Sequence, residues 1–178
     1  MDEAIKLLQT EAELSYVEAL SETLENLSFE GKAQQVEGLP SNEAVERLNR
    51  LYKKMNMDAL DKEIIRKSIQ LTFIKATKED KLQMNHQMTP DTIAYLIAYF
   101  IGEIKKDRTE KLHVSDLAAG TGNLLNIVLA HLASRGNEVT AEAVDNDDLL
   151  ISVAANSGSL MGLSEKIHYT HSDSLQEL

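Results

Sequence analysis

The sequence contains no cysteine and no tryptophan, and has only two prolines and eight glycines among its 178 residues. The absence of cysteine excludes disulfides and thiolate metal sites, and it is typical of proteins in the reducing cytoplasm. No apolar run approaches the roughly 18 residues that a membrane-spanning helix needs. The acidic, amphipathic amino terminus lacks the basic-then-apolar pattern of a signal peptide. We therefore expect a cytoplasmic protein that does not associate with membranes.

Basic residues are also scarce, since 18 Lys and Arg face 29 Asp and Glu and the net charge is −11. The excess of acidic residues runs through both halves of the chain, so no basic stripe is available to neutralise nucleic-acid phosphates. Any contact with DNA would have to be local. The five histidines show no metal-like pairing, and we expect no metal site.

The first 80 residues have the apolar spacing of helices, at intervals of three and four. A first helical segment ends before a break at Gly31–Pro40. Ser41 is a suitable N-cap for a second helix reaching Met55. A third helix is predicted from Asp58 to Ala76. The sequence thus predicts a helical bundle domain over residues 1–80, and its apolar stripe could also mediate homodimerisation.

A second domain, residues 81–178, begins with a compact helix-start signal at Thr89-Pro90-Asp91, in which Thr89 is the predicted cap. The following helix has an apolar series at helical spacing that predicts one broad buried face, formed by Ile93, Leu96, Ile97, Phe100, Ile101 and Ile104. The pattern then becomes strand, helix, strand, helix, strand. These elements are predicted at 112–117, 122–134, 138–144, 147–161 and 166–170. This alternation predicts a parallel sheet with helical crossovers.

The stretch SDLAAGTGNLL, residues 115–125, places two of the eight glycines around one threonine, between a strand and a helix. Glycine allows a tight bend and lets a ligand approach the backbone, and the helix behind offers unpaired N–H groups. Asp145 follows the next strand, where an acidic side chain can accept hydrogen bonds from ribose hydroxyls. The arrangement predicts a nucleoside ligand.

Two features argue against a dinucleotide. The pattern G-x-G-x-x-G would need glycine where Leu125 stands, and Asp116 lies at the end of the first strand, facing the same pocket. Like charges ~4 Å apart repel by about 4 kcal/mol at an effective dielectric constant near 20, so Asp116 disfavours a pyrophosphate. An ammonium or sulfonium group would instead be attracted to this carboxylate. S-adenosylmethionine carries both groups and the two ribose hydroxyls.

The run from Asp116 to Leu125 resembles the first motif of class I S-adenosylmethionine-dependent methyltransferases. It is most similar to the Asp-Pro-Ala-Ala-Gly-Thr-Gly form of N6-adenine DNA methyltransferases, including the methylation subunits of restriction-modification systems. Gln87-Met88-Thr89-Pro90, Val144-Asp145-Asn146 and Ser172-Asp173-Ser174-Leu175 resemble three further motifs, in the family's order. The resemblance covers roughly residue 87 onward, and the amino-terminal helical domain also fits the layout of a methylation subunit.

The resemblance implies an α/β fold, in which the helical bundle precedes the first half of a Rossmann-like methyltransferase sheet. It implies S-adenosylmethionine as cofactor, adenine N6 in DNA as methyl acceptor, and a separate specificity subunit as a candidate partner. Asp173 would meet the adenine amino group of the cofactor, and Thr89 would help to hold its methionine end. The full set of expected cofactor-binding residues is Thr89, Asp116, Ala118, Ala119, Gly120, Thr121, Gly122, Asn123, Leu124, Asp145, Asn146, Asp173 and Ser174.

The sequence departs from the family at Leu117, Ala118 and Met88, positions at which proline, glycine and an aromatic residue are usual. A larger departure is the absence of the Pro-Pro-aromatic motif that holds the flipped base, since the two prolines stand in Leu-Pro-Ser and Thr-Pro-Asp. The expectation is a truncated enzyme without catalytic residues of its own, inactive as a 178-residue chain.

Several alternatives remain open from the residues alone. The chain could be a non-catalytic methyltransferase-like scaffold or cofactor sensor, or part of a methyltransferase that acts on RNA, protein or a small molecule. Asp116 could simply cap the turn, and Asp145 could be the N-cap of the helix that follows it.

Overall fold

The computed structural model describes residues 1–81, 88–107 and 109–175. The chain divides into two compact units, Met1–Gln87 with Ser159–Met161, and Met88–Gly158 with Gly162–Leu178.

The first unit contains the helices α1 (Asp2–Ala12), α2 (Tyr16–Ser28), α3 (Asn42–Met55) and α4 (Lys62–Glu79), with a short 3-10 turn at Met57–Ala59. Each α-helix buries an apolar stripe, and these stripes make the core of the unit because the opposite faces are charged. The predicted N-terminal helices are therefore confirmed, and Ser41 caps α3 as expected by accepting a hydrogen bond from the backbone of Ala44 at 3.3 Å. The largest side chains in this core are Ile5, Leu8, Tyr16, Leu20, Leu24, Leu48, Ile65, Ile69 and Phe73.

Two helix boundaries differ from the prediction. The first helical segment is two helices, because Ser15 forms a capping box with Glu18: the Ser15 hydroxyl accepts from Glu18 N at 3.2 Å, and Glu18 accepts from Ser15 N at 2.8 Å. The helix predicted from Asp58 begins instead at Lys62, since Asp61 is its N-cap and accepts from the backbone of Glu63 at 2.8 Å. In both cases a capping side chain fixes the residue at which the helix begins, whereas the apolar spacing alone does not mark that residue.

The start of α2 is also held from a distant part of the chain. Asp80, at the end of α4, accepts hydrogen bonds from Tyr16 N at 3.0 Å and from Val17 N at 2.7 Å. A carboxylate at the amino end of a helix satisfies free N–H groups and interacts favourably with the helix dipole. Asp80 therefore fixes the docking of α4 against the first turn of α2.

Replacing Asp80 with alanine is expected to lower the free energy of unfolding by about 1–2 kcal/mol, because two helix-terminal N–H groups lose a charged acceptor. Chemical denaturation measures this loss. The matched control is Glu79→Gln, which weakens only an exposed ion pair with Lys75 at 3.5 Å and should cost less than about 0.5 kcal/mol. Equal effects of the two substitutions would contradict this role of Asp80.

The second unit has the order α5 (Asp91–Ile104), β1 (Lys111–Asp116), α6 (Asn123–Ser134), β2 (Glu138–Asp145), α7 (Asp148–Leu160), β3 (Ile167–His171). The strands form a parallel sheet in the order β1-β2-β3. Each strand lies within one residue of its predicted bounds. The register pairs Asp116 with Ala143 and Asp145 with His171, so the carboxyl ends of the strands meet at one edge.

The sheet buries one of its faces. Apolar residues of the strands pack with residues of α5, α6 and α7 in a single core cluster, which includes Leu112, Val139, Ala141, Ala143, Ile167, Ala98, Leu125, Leu129, Ile151 and Ala154. The alternate residues of the strands are largely polar, and among them His113 and Thr140 form a hydrogen bond at 3.0 Å between β1 and β2. This period-two pattern explains why the strands were recognisable from the sequence.

Helix α5 corrects two predictions. Its buried residues are Ala94, Ala98 and Gly102, whereas the predicted apolar series is between 37% and 77% exposed, except for Ile101, which is partly buried against the core. Small side chains allow α5 to approach its neighbour closely, and a methyl group added at Gly102 would lie 3.1 Å from Arg135. The N-cap of α5 is Pro90 rather than Thr89, and no side chain caps this helix.

Candidate functional site

The carboxyl edge of the parallel sheet brings together the loops that follow β1, β2 and β3. This is the edge at which open α/β sheets bind ligands, because each loop leads away from the sheet there. The residues predicted from the sequence as ligand-binding lie on these loops and at the start of α6, apart from Thr89, which precedes α5.

The turn after β1 depends on its two glycines. Gly120 and Gly122 have φ angles of +54° and +75°, in the left-handed region that other residues rarely adopt. The amide of Gly122 donates to the carbonyl of Ala119 at 2.8 Å, which closes the turn, and the amide of Ala119 donates to the carbonyl of Val144 at 2.9 Å. A Cβ atom at Gly122 would also lie 3.2 Å from the Cβ atom of Ala154, a tight contact that adds to the preference for glycine at this position.

Asp145, at the end of β2, binds backbone groups with both carboxylate oxygens. Its Oδ2 atom accepts from Gly120 N at 2.7 Å, and its Oδ1 atom accepts from Asp147 N at 3.0 Å. Asp145 is not the helix cap, because Asp147 accepts from Leu149 N and Leu150 N, both at 3.0 Å, at the start of α7. The carboxylate of Asp145 therefore links the glycine turn to the loop after β2.

Asp116, the last residue of β1, is partly buried and weakly bonded. Among the contacts of the described residues, its carboxylate accepts one hydrogen bond, from Ala118 N at 3.3 Å. Burial raises the pKa of Asp116 above its ordinary value, and the nearby charge of Asp145 raises this pKa further. The capping interpretation accounts for the contact with Ala118, but it leaves a carboxylate whose ionised form is poorly stabilised by the protein itself.

The loop after β3 is tied to the other two loops. Ser172 N donates to the carbonyl of Asp145 at 3.0 Å, and the Ser174 hydroxyl donates to the carbonyl of Leu117 at 2.9 Å. Asp173 accepts from Leu175 N at 3.0 Å in a local turn. The residues predicted from the third motif thus lie beside the loops that carry Asp116 and Asp145.

Asn123 brings the segment before α5 next to the glycine turn. Its side-chain nitrogen lies 3.3 Å from the carbonyl oxygen of Thr89 and 3.4 Å from Oδ1 of Asp91, and the residue is buried. Both distances are long for hydrogen bonds, so this link is weaker than that of Asp145. Gln87, the first residue of the Thr-Pro segment, lies outside the described residues.

The remaining predicted residues differ in their surroundings. Ala118 and Asn146 are exposed at the edge, whereas Ala119 and Thr121 are buried beneath the turn. Leu124 packs against the core cluster, so its side chain supports α6 rather than lining the edge. Asp91, close to Asn123, was not among the predicted residues, although a carboxylate in the first turn of a helix that precedes a ligand loop is a usable signal.

Residues 1–81, 88–107 and 109–175 contain no group of three His, Asp or Glu side chains arranged to hold a metal ion. Over the same residues, no helix combines the length and hydropathy needed to cross a bilayer.

Comparisons with known proteins describe both units. Residues 1–77 match the family described as the YtxK N-terminal helical domain. Over its full 178 residues the chain is 34% identical to YtxK of Bacillus subtilis, a protein described as uncharacterized, and covers 52% of it. The structure is similar to the crystal structure of a candidate class I S-adenosylmethionine-dependent methyltransferase from Listeria monocytogenes, with a TM-score of 0.79 and 35% identity. That match covers 94% of this chain and 50% of the Listeria chain.

These matches confirm the predicted fold class, N-terminal helices followed by a three-stranded parallel sheet of the Rossmann-like methyltransferase type. The chain spans about half the length of the Bacillus and Listeria proteins that it matches. The descriptions of these proteins do not mention DNA, adenine or a restriction-modification system. The predicted acceptor and enzyme subtype therefore stay predictions.

Proposed function

We propose that the carboxyl edge of the sheet binds S-adenosylmethionine, and that the chain is the cofactor-binding part of a methyltransferase. The observation that carries this proposal is Asp116, a partly buried carboxylate that accepts one long hydrogen bond within the described part of the chain, beside a glycine turn and a second carboxylate. Such a group lowers its free energy most by pairing with a cation. The similarity to the Listeria protein supports the same ligand class.

The residues present fit this cofactor better than they fit a phosphate-containing nucleotide. Two carboxylates, Asp116 and Asp145, adjoin the turn, and each would repel a phosphate group placed there. Apart from the adjoining Ala119 and Thr121, no described residue has an atom within 4 Å of the space that a side chain would fill at Gly120, so a ligand can approach the backbone there.

Each residue has a distinct role in this proposal. Asp116 pairs with the cationic methionine end of the cofactor, and Asp145 accepts hydrogen bonds from the ribose hydroxyls. A carboxylate offers about four lone-pair sites, so the two backbone hydrogen bonds of Asp145 leave capacity for the ligand. When bound, the cofactor supplies a methyl group activated by its sulfonium.

For the methyl acceptor we propose adenine N6 in DNA, on the strength of the sequence resemblance at Asp116–Asn123, Asp145 and Asp173. The 178 residues contain no Pro-Pro-aromatic motif, so the residues that hold the acceptor are not among them. Transfer of tritium from labelled S-adenosylmethionine to DNA without adenine methylation tests this step in a protein of the full length of the Bacillus and Listeria relatives, with RNA and protein as competing acceptors. Cofactor binding without transfer to any acceptor would favour the non-catalytic cofactor-binding module instead.

Calorimetric titration tests cofactor binding directly. S-adenosylhomocysteine and S-adenosylmethionine should bind saturably, whereas ATP at the same concentration should not, because its phosphates meet two carboxylates. Absence of both heat and a thermal shift with millimolar S-adenosylhomocysteine would contradict the proposal. Tighter binding of ATP than of S-adenosylhomocysteine would overturn the role assigned to Asp116.

A further inference from the structure

The carboxylate of Asp145 accepts hydrogen bonds from two backbone amides. Its hydrogen bond from Gly120 N is 2.7 Å long, at the short end for an N–H donor, and the acceptor is charged. Its second oxygen holds the amide of Asp147, immediately before α7. One side chain thus spans two loops that are 25 residues apart in sequence.

Two hydrogen bonds hold the peptide that carries the Gly120 amide: its carbonyl, that of Ala119, accepts from Gly122 N at 2.8 Å, and its N–H donates to Asp145. Gly120 lies in the left-handed region, and apart from the adjoining Ala119 and Thr121 no described residue has an atom within 4 Å of the position its side chain would take. The adjacent amides of Ala119 and Gly122 bond to main-chain carbonyls, whereas the amide of Gly120 bonds to a side chain. Asp145 therefore supplies the contact that ties this peptide to the end of β2, in addition to the hydrogen bond that closes the turn itself.

We propose that Asp145 is a positioning residue for the glycine turn, holding the amide of Gly120 and its left-handed conformation whether or not a ligand is bound. The identity of that ligand as S-adenosylmethionine rests on the proposed function, but the contact itself does not. A turn ordered in advance avoids the entropic cost of ordering it on binding, so Asp145 contributes to affinity through the backbone as well as by direct contact.

The experiment uses ligand-free protein and follows the Gly120 amide by NMR. In the wild type, a scalar coupling across the hydrogen bond should connect the Gly120 nitrogen to the carboxyl carbon of Asp145. In Asp145→Ala, amide exchange at Gly120 should be at least about tenfold faster, as expected for the loss of about 1.4 kcal/mol of local protection. In Asp145→Asn the increase should be smaller, because asparagine keeps one uncharged oxygen for the two amides of Gly120 and Asp147. The matched control is Asp148→Asn, which removes the same charge from an exposed side chain in the first turn of α7.

The outcomes separate this inference from the proposed function. Absence of the coupling in the wild type, or unchanged Gly120 exchange in both Asp145 variants, overturns the positioning role even if S-adenosylhomocysteine binds. The positioning role is supported if the coupling is present in the wild type and if Gly120 exchanges faster in the Asp145 variants but not in Asp148→Asn. This holds even if S-adenosylhomocysteine fails to bind. If the Asp145 variants do not fold, the wild-type coupling keeps the inference testable, because its absence overturns the positioning role.

Discussion

Asp116→Asn is expected to weaken the binding of S-adenosylmethionine by roughly 30-fold while leaving the ligand-free protein at least as stable as the wild type. Removing one partner of a desolvated, hydrogen-bonded charge pair costs at least about 2 kcal/mol of binding free energy, which corresponds to that factor. Asparagine keeps an oxygen for the hydrogen bond from Ala118 N. The loss should therefore appear in calorimetric affinity and not in thermal unfolding without ligand.

The pH dependence follows from the direction of the pKa shift. Because the pKa of Asp116 is raised in the folded protein, the folded state binds more protons than the unfolded state between the two pKa values. The contribution of Asp116 to the free energy of unfolding therefore falls as the pH rises through this range. Affinity for a cationic ligand should change in the opposite sense and decline as the pH falls through the raised pKa. Asp116→Asn should remove this component of both pH profiles.

Two controls make the Asp116 experiment specific. Adenosine has the ribose and base but no cationic group, so its affinity should be the same for Asp116→Asn and the wild type. Asp148→Asn changes the net charge equally at an exposed side chain and should leave the affinity for S-adenosylmethionine within about threefold. Parallel losses for adenosine and S-adenosylmethionine would place Asp116 in the fold of the turn rather than opposite a cation.

The sequence predicted the sheet well because parallel strands and their crossover helices carry strong local signals. Apolar residues at alternate positions mark the strands, and Gly120 and Gly122 stand where the backbone needs positive φ angles. Asp116 and Asp145 could be assigned to a common edge from topology alone, since both end parallel strands.

Other features depend on contacts that no local pattern encodes. In α5, the small residues Ala94, Ala98 and Gly102 have the same helical spacing as the large apolar series. The face with the small residues is the buried one, because it allows α5 to pack closely. The bond from Gly120 N to Asp145 joins two loops, and the cap that Asp80 gives to α2 joins residues more than sixty positions apart. Residue spacing identifies which helix faces could be buried and which acidic side chains could accept hydrogen bonds. It does not show which residues each face or side chain contacts in the fold.

Gly158→Ala is expected to destabilise the protein, although alanine in a helix is normally favoured over glycine by up to about 1 kcal/mol. Gly158 is buried in α7, and an added methyl group would overlap the hydroxyl oxygen of Tyr169 and lie 3.0 Å from its Cζ atom. Overpacking typically costs about 1–3 kcal/mol, and the overlap here places the cost at the upper end of that range, so after the gain of about 1 kcal/mol in helix propensity we expect a net loss of about 2 kcal/mol in the free energy of unfolding. Chemical denaturation measures it, with Gly102→Ala as the control, since the methyl group there meets only the flexible side chain of Arg135.

Tyr169→Phe should rescue part of this loss, because it removes the overlapping oxygen and keeps the tight contact with Cζ. The Tyr169 hydroxyl is buried without a hydrogen-bond partner in the described part of the chain, so its removal alone should be neutral or stabilising by up to about 1 kcal/mol. In the double variant the added methyl group faces a ring edge instead of an oxygen, and the two substitutions should couple by at least about 1 kcal/mol. Strictly additive effects would mean that Gly158 is required for a reason other than the space taken by Tyr169. If the double variant regains free energy of unfolding that Gly158→Ala has lost, Tyr169 is the reason that glycine is needed at position 158, because its hydroxyl occupies the position that a side chain on α7 would take.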